Sequence, residues 1–169
     1  MSAIKESLLP GVNIDEVTRA AQPDVVSNRR YLHEHPEVGM ETHETATYIE
    51  KQLTSYGLEA KRCAETGVIS MIDSGAEGPT VMLRADIDAL PITEENTHGY
   101  ESKTVGKMHA CGHDTHTAMQ LAVSRRLKEE GISRGGVSQS CFRRQRQVRL
   151  DIVVYRYDAV EHSFGQRDG

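Results

Sequence analysis

Several residue types are scarce or absent in this sequence of 169 residues. It has no tryptophan and only two phenylalanines, and its hydrophobic fraction of 37% predicts a thin, aliphatic core. Its three cysteines, Cys63, Cys111 and Cys141, are widely spaced and odd in number, so they do not form a disulfide framework. We see no apolar run of membrane-spanning length and no signal-type segment, and we therefore expect a cytoplasmic protein with no membrane partner.

The 20 basic side chains are outnumbered by 25 acidic ones, and they are unevenly distributed. The formal net charge of −5 argues against a general nucleic-acid-binding protein. Residues 1–131 carry 13 basic and 21 acidic side chains, whereas residues 132–169 carry seven arginines, no lysine and four acidic side chains. This change of composition near Gly131 predicts a domain formed by residues 1–131, followed by an atypical tail of residues 132–169.

Side chains that bind metals are abundant in one short stretch. Residues 109–116 read His-Ala-Cys-Gly-His-Asp-Thr-His, and we call this segment the ligand loop. Imidazole and thiolate are ligands of zinc, cobalt and nickel, and a carboxylate can join them or hydrogen-bond to a ligating imidazole. Gly112 favours a turn, and a helical pattern follows from Thr117 to Glu130. The sequence therefore predicts a metal-binding loop that leads into a helix N-terminus.

Two other interpretations of the ligand loop stay open. Single histidines and cysteines are usually packed or solvated side chains, and a free cysteine often behaves as a small buried hydrophobic residue. Alternatively, Cys111 could be a nucleophile activated by His113 or His109, although neighbours in a tight turn rarely align as nucleophile and base. The density of ligand types favours metal binding over both.

Hydrophobic periodicity predicts three helices before the ligand loop. The first covers residues 12–21, and Pro23 opens the second, which runs from Asp24 to about His33 before Pro36. We interpret His33 simply as a polar residue near a helix C-terminus. The third helix has Thr42 as its N-cap and ends at Gly57.

A strand-rich segment follows the third helix. The sequence predicts strands at Leu58 to Arg62, Gly67 to Asp73 and residues 80–85, and the short link at 74–79 favours an antiparallel hairpin between the last two. Asp86 and Asp88 directly follow the third strand, where α/β proteins tend to place functional side chains. Residues 92–108 show no periodic pattern of apolar side chains, so we predict a loop there.

Three motifs in this order resemble the M20 metallopeptidase family, in particular its amidohydrolase branch, which includes hippurate hydrolases and indole-acetyl amino-acid hydrolases. They are Arg-Arg-Tyr-Leu-His-Glu-His-Pro-Glu-Val-Gly at 29–39, Leu-Arg-Ala-Asp-Ile-Asp-Ala-Leu-Pro at 83–91 and Met-His-Ala-Cys-Gly-His-Asp at 108–114. The resemblance covers roughly residues 15–131. It implies an α/β fold, namely the N-terminal part of a zinc-exopeptidase-like domain with a mixed sheet flanked by helices.

The resemblance also implies a reaction and its residues. Two divalent ions (manganese, zinc or nickel) would activate a water molecule, which attacks the amide bond of an N-acyl amino acid or another small amide conjugate. Cys111 and His113 would be metal ligands, and Asp86 would have the catalytic role of a supporting acid near the metals. His109, Asp114 and Asp88 are candidates for the second shell. The oligomeric state is left open, with a homo-oligomer among the alternatives.

The tail departs from the family pattern. That pattern continues after the helix with a Glu-Glu pair, which supplies the general base and a ligand, and then with two further histidines; residues 132–169 hold only Glu161 and His162. Codons for residues 141–146 can be chosen so that the neighbouring reading frame encodes Phe-Gln-Thr-Ala-Glu. This is close to the sequence that the family pattern predicts at this distance from the helix. We therefore hypothesise an out-of-frame tail and an impaired, truncated enzyme. The alternatives are a selected tail with a strand at residues 151–155, and a non-catalytic fragment that binds metal weakly or associates with a full-length homologue.

Overall fold

The computed structural model describes residues 14–73, 81–130 and 137–142. In these ranges the chain forms three helices and four strands. The helices are α1 (Ile14–Glu34), α2 (His43–Ser55) and α3 (His113–Glu130), and the strands are β1 (Ala60–Cys63), β2 (Gly67–Asp73), β3 (Val81–Ala85) and β4 (Val137–Phe142). The predicted strand at residues 151–155 lies outside the described residues. No helix in the described part of the chain is long and apolar enough to cross a membrane.

The four strands form one mixed sheet in the order β1-β2-β4-β3. β1 pairs with β2 in antiparallel register, and β4 pairs antiparallel with β2 and parallel with β3. The predicted hairpin between β2 and β3 is therefore wrong, because β4 lies between them. A short link permits a hairpin, but the backbone partners offered by a strand from beyond α3 decide the actual order.

The N-terminal helical segment also differs from the prediction. Residues 14–34 form a single helix that contains Pro23, instead of two helices separated by it. A proline removes one helical hydrogen bond and disfavours the helix, so tertiary packing has to compensate. The contacts of α1 with α3, which include an ion pair between Asp24 and Arg125, supply that packing.

The core lies between the helices and one face of the sheet. Leu53 of α2, Val68 of β2 and Leu121 of α3 are each fully buried there. Ala118, Leu121 and Ala122 face the interior, as the helical pattern of residues 117–130 predicts. The fold class expected from the sequence, an α/β domain with a mixed sheet flanked by helices, is confirmed.

Candidate metal centre

The ligand loop turns into α3 at Gly112. Gly112 has φ +81°, a left-handed conformation that glycine adopts without steric cost, and α3 begins at His113. The backbone carbonyl of Gly112 accepts hydrogen bonds from the amides of Thr115 (3.0 Å) and His116 (3.2 Å), which form the first turn. The prediction of a turn that leads into a helix is confirmed. The helix begins at His113, four residues before the predicted start at Thr117.

His113 is oriented by the segment that follows β3. Its Nδ1 lies 2.8 Å from the carbonyl oxygen of Asp88 and 3.3 Å from the carboxylate of the same residue. A carbonyl oxygen can only accept, so Nδ1 carries the proton, and Nε2 of the neutral ring keeps its lone pair for a metal. This arrangement of a ligating imidazole and a backbone or carboxylate oxygen is typical of metal sites.

Cys111 is the second predicted ligand. It is an exposed free thiol immediately before Gly112, two residues from the start of α3. Among the described residues, no hydrogen bond joins Cys111 to an imidazole. His116, on the first turn of α3, is also exposed, and its ring centroid lies 6.2 Å from that of His113.

Asp114 points away from the predicted ligands and into the interior. Its side chain is 1% exposed, and its Oδ2 lies 2.7 Å from His33 Nδ1 and 3.0 Å from Arg29 Nε. Its other oxygen accepts a hydrogen bond from the amide of Thr115. Asp114 therefore connects the ligand loop to α1 and does not hydrogen-bond to His113.

His109 and Asp86 have different surroundings. His109 is 4% exposed, and neither of its ring nitrogens has a hydrogen-bond partner. Burial lowers the pKa of His109 to about 4, which keeps the ring neutral. The carboxylate of Asp86 pairs with Arg84, and its backbone carbonyl accepts a hydrogen bond from Thr117 Oγ1.

A separate group of potential ligands was not predicted from the sequence. His33, Glu94 and His98 each offer one ligand atom, and these atoms all lie within 4.8 Å of one another. His33 lies in the last turn of α1, as predicted, but its side chain is 2% exposed and contacts two carboxylates, which the sequence did not indicate. The signal for this group in the sequence is weak, because Glu94 and His98 lie in a loop whose apolar residues show no regular spacing.

Comparison with known proteins finds relatives of this chain. The model of peptidase family M20/M25/M40 matches residues 82–137. An N-acyl-L-amino acid amidohydrolase of Geobacillus stearothermophilus is 45% identical over 113 residues, which are 66% of this chain and 30% of that protein. An IAA-amino acid hydrolase of Arabidopsis thaliana is 47% identical over 106 residues, 62% of this chain and 24% of that protein.

A solved structure agrees with the sequence relatives. The crystal structure of the Bacillus subtilis YXEP protein, described as a dinuclear metal binding peptidase from the M20 family, matches with a TM-score of 0.70 and 37% identity. The match covers 73% of this chain and 35% of that structure. The resemblance to the M20 family is confirmed. This chain spans about a third or less of the length of these relatives.

The M20-like motifs meet in the fold. The first and second are joined by a bridge between Val38 and Ala89, and the second and third by a bridge between Leu90 and Met108. The amide of Ala89 also donates to the carbonyl oxygen of Glu37, at 2.7 Å. These backbone contacts bring the three M20-like motifs together beside the ligand loop.

Proposed function

We propose that this chain carries the first part of the metal centre of an M20-type amidohydrolase that cleaves N-acyl amino acids or small amide conjugates. The main support is the geometry of His113, whose Nδ1–H donates to Asp88 and leaves Nε2 free for a metal. The names of the relatives support the reaction and substrate class, and the dinuclear neighbour supports a centre with two divalent ions.

Cys111 and His113 would hold the metal, which we propose to be manganese, zinc or nickel. A metal held there would polarise the amide carbonyl of the substrate and lower the pKa of a bound water. Asp88 holds the His113 ring in the required tautomer, and Cys111 lies two residues before the start of α3. Asp86 remains the proposed supporting acid, and Asp88 and His109 the proposed neighbours of the ligands, whereas Asp114 hydrogen-bonds to His33 instead.

Metal binding by the ligand loop tests this assignment directly. We expect the double variant Cys111→Ser/His113→Asn to lose at least ~10-fold in affinity for Mn²⁺, Zn²⁺ or Ni²⁺ at the loop, since two direct ligands are removed. The matched variant His116→Asn, which removes an exposed histidine of the same loop, should bind as the parent does. Equal affinity in all three proteins, by isothermal titration, would refute the assignment.

We further propose that residues 1–169 alone are impaired, because two ligands do not complete a catalytic site. Hydrolysis of hippurate or N-acetyl amino acids by the purified chain with added Mn²⁺ would contradict this. Reading the gene in the neighbouring frame beyond codon 131 tests the origin of the tail, and we expect Phe-Gln-x-Ala-Glu-Glu there. Restoring that frame should produce metal-dependent hydrolysis.

The cysteine-nucleophile alternative makes a different prediction. Its activity would survive chelation and be lost in Cys111→Ser, whereas a metal centre fails in both tests. The exposed Cys111 thiol has no imidazole partner among the described residues, which supports the metal centre. A cytoplasmic location remains part of the proposal.

A further inference from the structure

His33 lies between two buried carboxylates. Its Nδ1 is 2.7 Å from Asp114 Oδ2, and its Nε2 is 3.0 Å from Glu94 Oε1. The side chains of Asp114, His33 and Glu94 are 1%, 2% and 3% exposed. A neutral imidazole has one N–H, so it would direct a lone pair at one of the two carboxylates. A metal ion bound between His33 Nε2 and Glu94 Oε1 would remove this conflict.

Glu94 is fixed as an anion. Burial alone would raise its pKa, but hydrogen bonds from the Ser102 amide, from His33 and from Asn96 bring the pKa of Glu94 down to about 2. The Ser102 amide donates to Oε2 at 2.7 Å, which holds the carboxylate in place and directs Oε1 at the histidines.

His98 supplies the third ligand atom, which lies beside the same Glu94 oxygen. Its Nε2 lies 3.1 Å from Glu94 Oε1, and its ring stacks on Tyr100 with centroids 3.8 Å apart. In a tetrahedral zinc site, with bonds of 2.0–2.1 Å, neighbouring ligand atoms are roughly 3.3 Å apart. The separations of 3.0 and 3.1 Å from Glu94 Oε1 are close to this value, and all three ligand atoms lie within 4.8 Å of one another.

We propose that His33, Glu94 and His98 form a divalent metal site of the zinc type, separate from Cys111 and His113. The ion would lie among His33 Nε2, Glu94 Oε1 and His98 Nε2, while His33 Nδ1–H donates to Asp114. This completes the carboxylate–histidine–metal arrangement that is common in zinc proteins. His98, whose side chain is 28% exposed, lies on the solvent side, where a water would occupy the fourth position.

The test uses the full chain in a Cys111→Ser/His113→Asn background, so its result is independent of the proposed amidohydrolase centre. Zn²⁺ alone is titrated calorimetrically, and we expect one ion per chain. Adding His98→Ala should weaken binding by roughly 100-fold or more, because a direct ligand is lost. Adding His43→Ala, which removes an exposed histidine 3.6 Å from Glu41, should leave it unchanged.

A third variant distinguishes the loss of a metal ligand from a loss of folding. His98→Cys in the same background should retain Co²⁺ binding and add a thiolate-to-cobalt charge-transfer band, because thiolate is an equally good ligand. Zn²⁺ binding that is absent from the folded background protein, or equal in His98→Ala and His43→Ala, would overturn the proposal.

Discussion

Asp114 and His33 are 81 positions apart in the chain, yet Asp114 Oδ2 and His33 Nδ1 lie 2.7 Å apart in the protein interior. The same Asp114 oxygen accepts a hydrogen bond from Arg29. This contact connects the first M20-like motif to the third and fixes α1 against the start of α3. The connection has both a structural role and, through His33, a role in the proposed second metal site.

Asp114→Ala should lower the free energy of unfolding by about 3 kcal/mol, because it leaves buried polar and charged partners uncompensated. Urea denaturation in the presence of EDTA measures this effect without a contribution from metals. The control is Glu41→Ala, whose carboxylate is 81% exposed, and it should change stability by less than ~0.5 kcal/mol. Similar values for the two variants would contradict the structural role of Asp114.

Glu94 predicts a specific acid sensitivity. Its pKa falls from 4.5 to about 2 in the folded protein, so its stabilising contribution is present above pH 4.5 and is lost as the pH falls towards 2. Glu94→Gln should therefore lose less unfolding free energy than the parent between pH 5 and pH 3. Urea titrations with EDTA at both pH values provide the comparison, and parallel losses would disprove it.

Glu37 caps α2 from a distance. Its two carboxylate oxygens accept hydrogen bonds from the amides of Thr45 (2.7 Å) and Glu44 (3.2 Å). Thr42 occupies the predicted N-cap position but makes no side-chain cap bond, and its hydroxyl is buried without a partner. Glu37→Ala should thus cost about 1 kcal/mol. Thr42→Val, of similar shape, should be neutral or stabilising; a larger cost for Thr42→Val would contradict this assignment.

Gly67 and Gly112 should respond differently to alanine. A Cβ at Gly67 would lie 2.5 Å from the carbonyl oxygen of Cys63, whereas a Cβ at Gly112 would meet no atom within 4 Å. Gly112→Ala should cost only the left-handed backbone strain of about 1–2 kcal/mol, and Gly67→Ala should cost more, because backbone has to move. Thermal unfolding of both variants tests the order, and the reverse order would refute it.

Local signals determined much of this protein. The apolar runs and turn residues of 58–85 predict three strands close to their observed bounds, and Gly112 with its neighbours predicts the turn that carries Cys111 and His113. These features depend on residues near one another in the chain, so a single sequence contains the information. The resemblance to the M20 family could be recognised from the sequence for the same reason, since each of its motifs is a short, continuous stretch.

Tertiary structure decided the rest. Pro23 lies inside one helix because α1 packs on α3, and β4 separates β2 from β3 because it offers backbone partners to both. Glu37 and His33 have their roles only through partners distant in sequence, at the start of α2 and in the loop that holds Glu94. Such pairings depend on which buried charges and unpaired amides the folded chain brings together, and no local pattern of residue types encodes that.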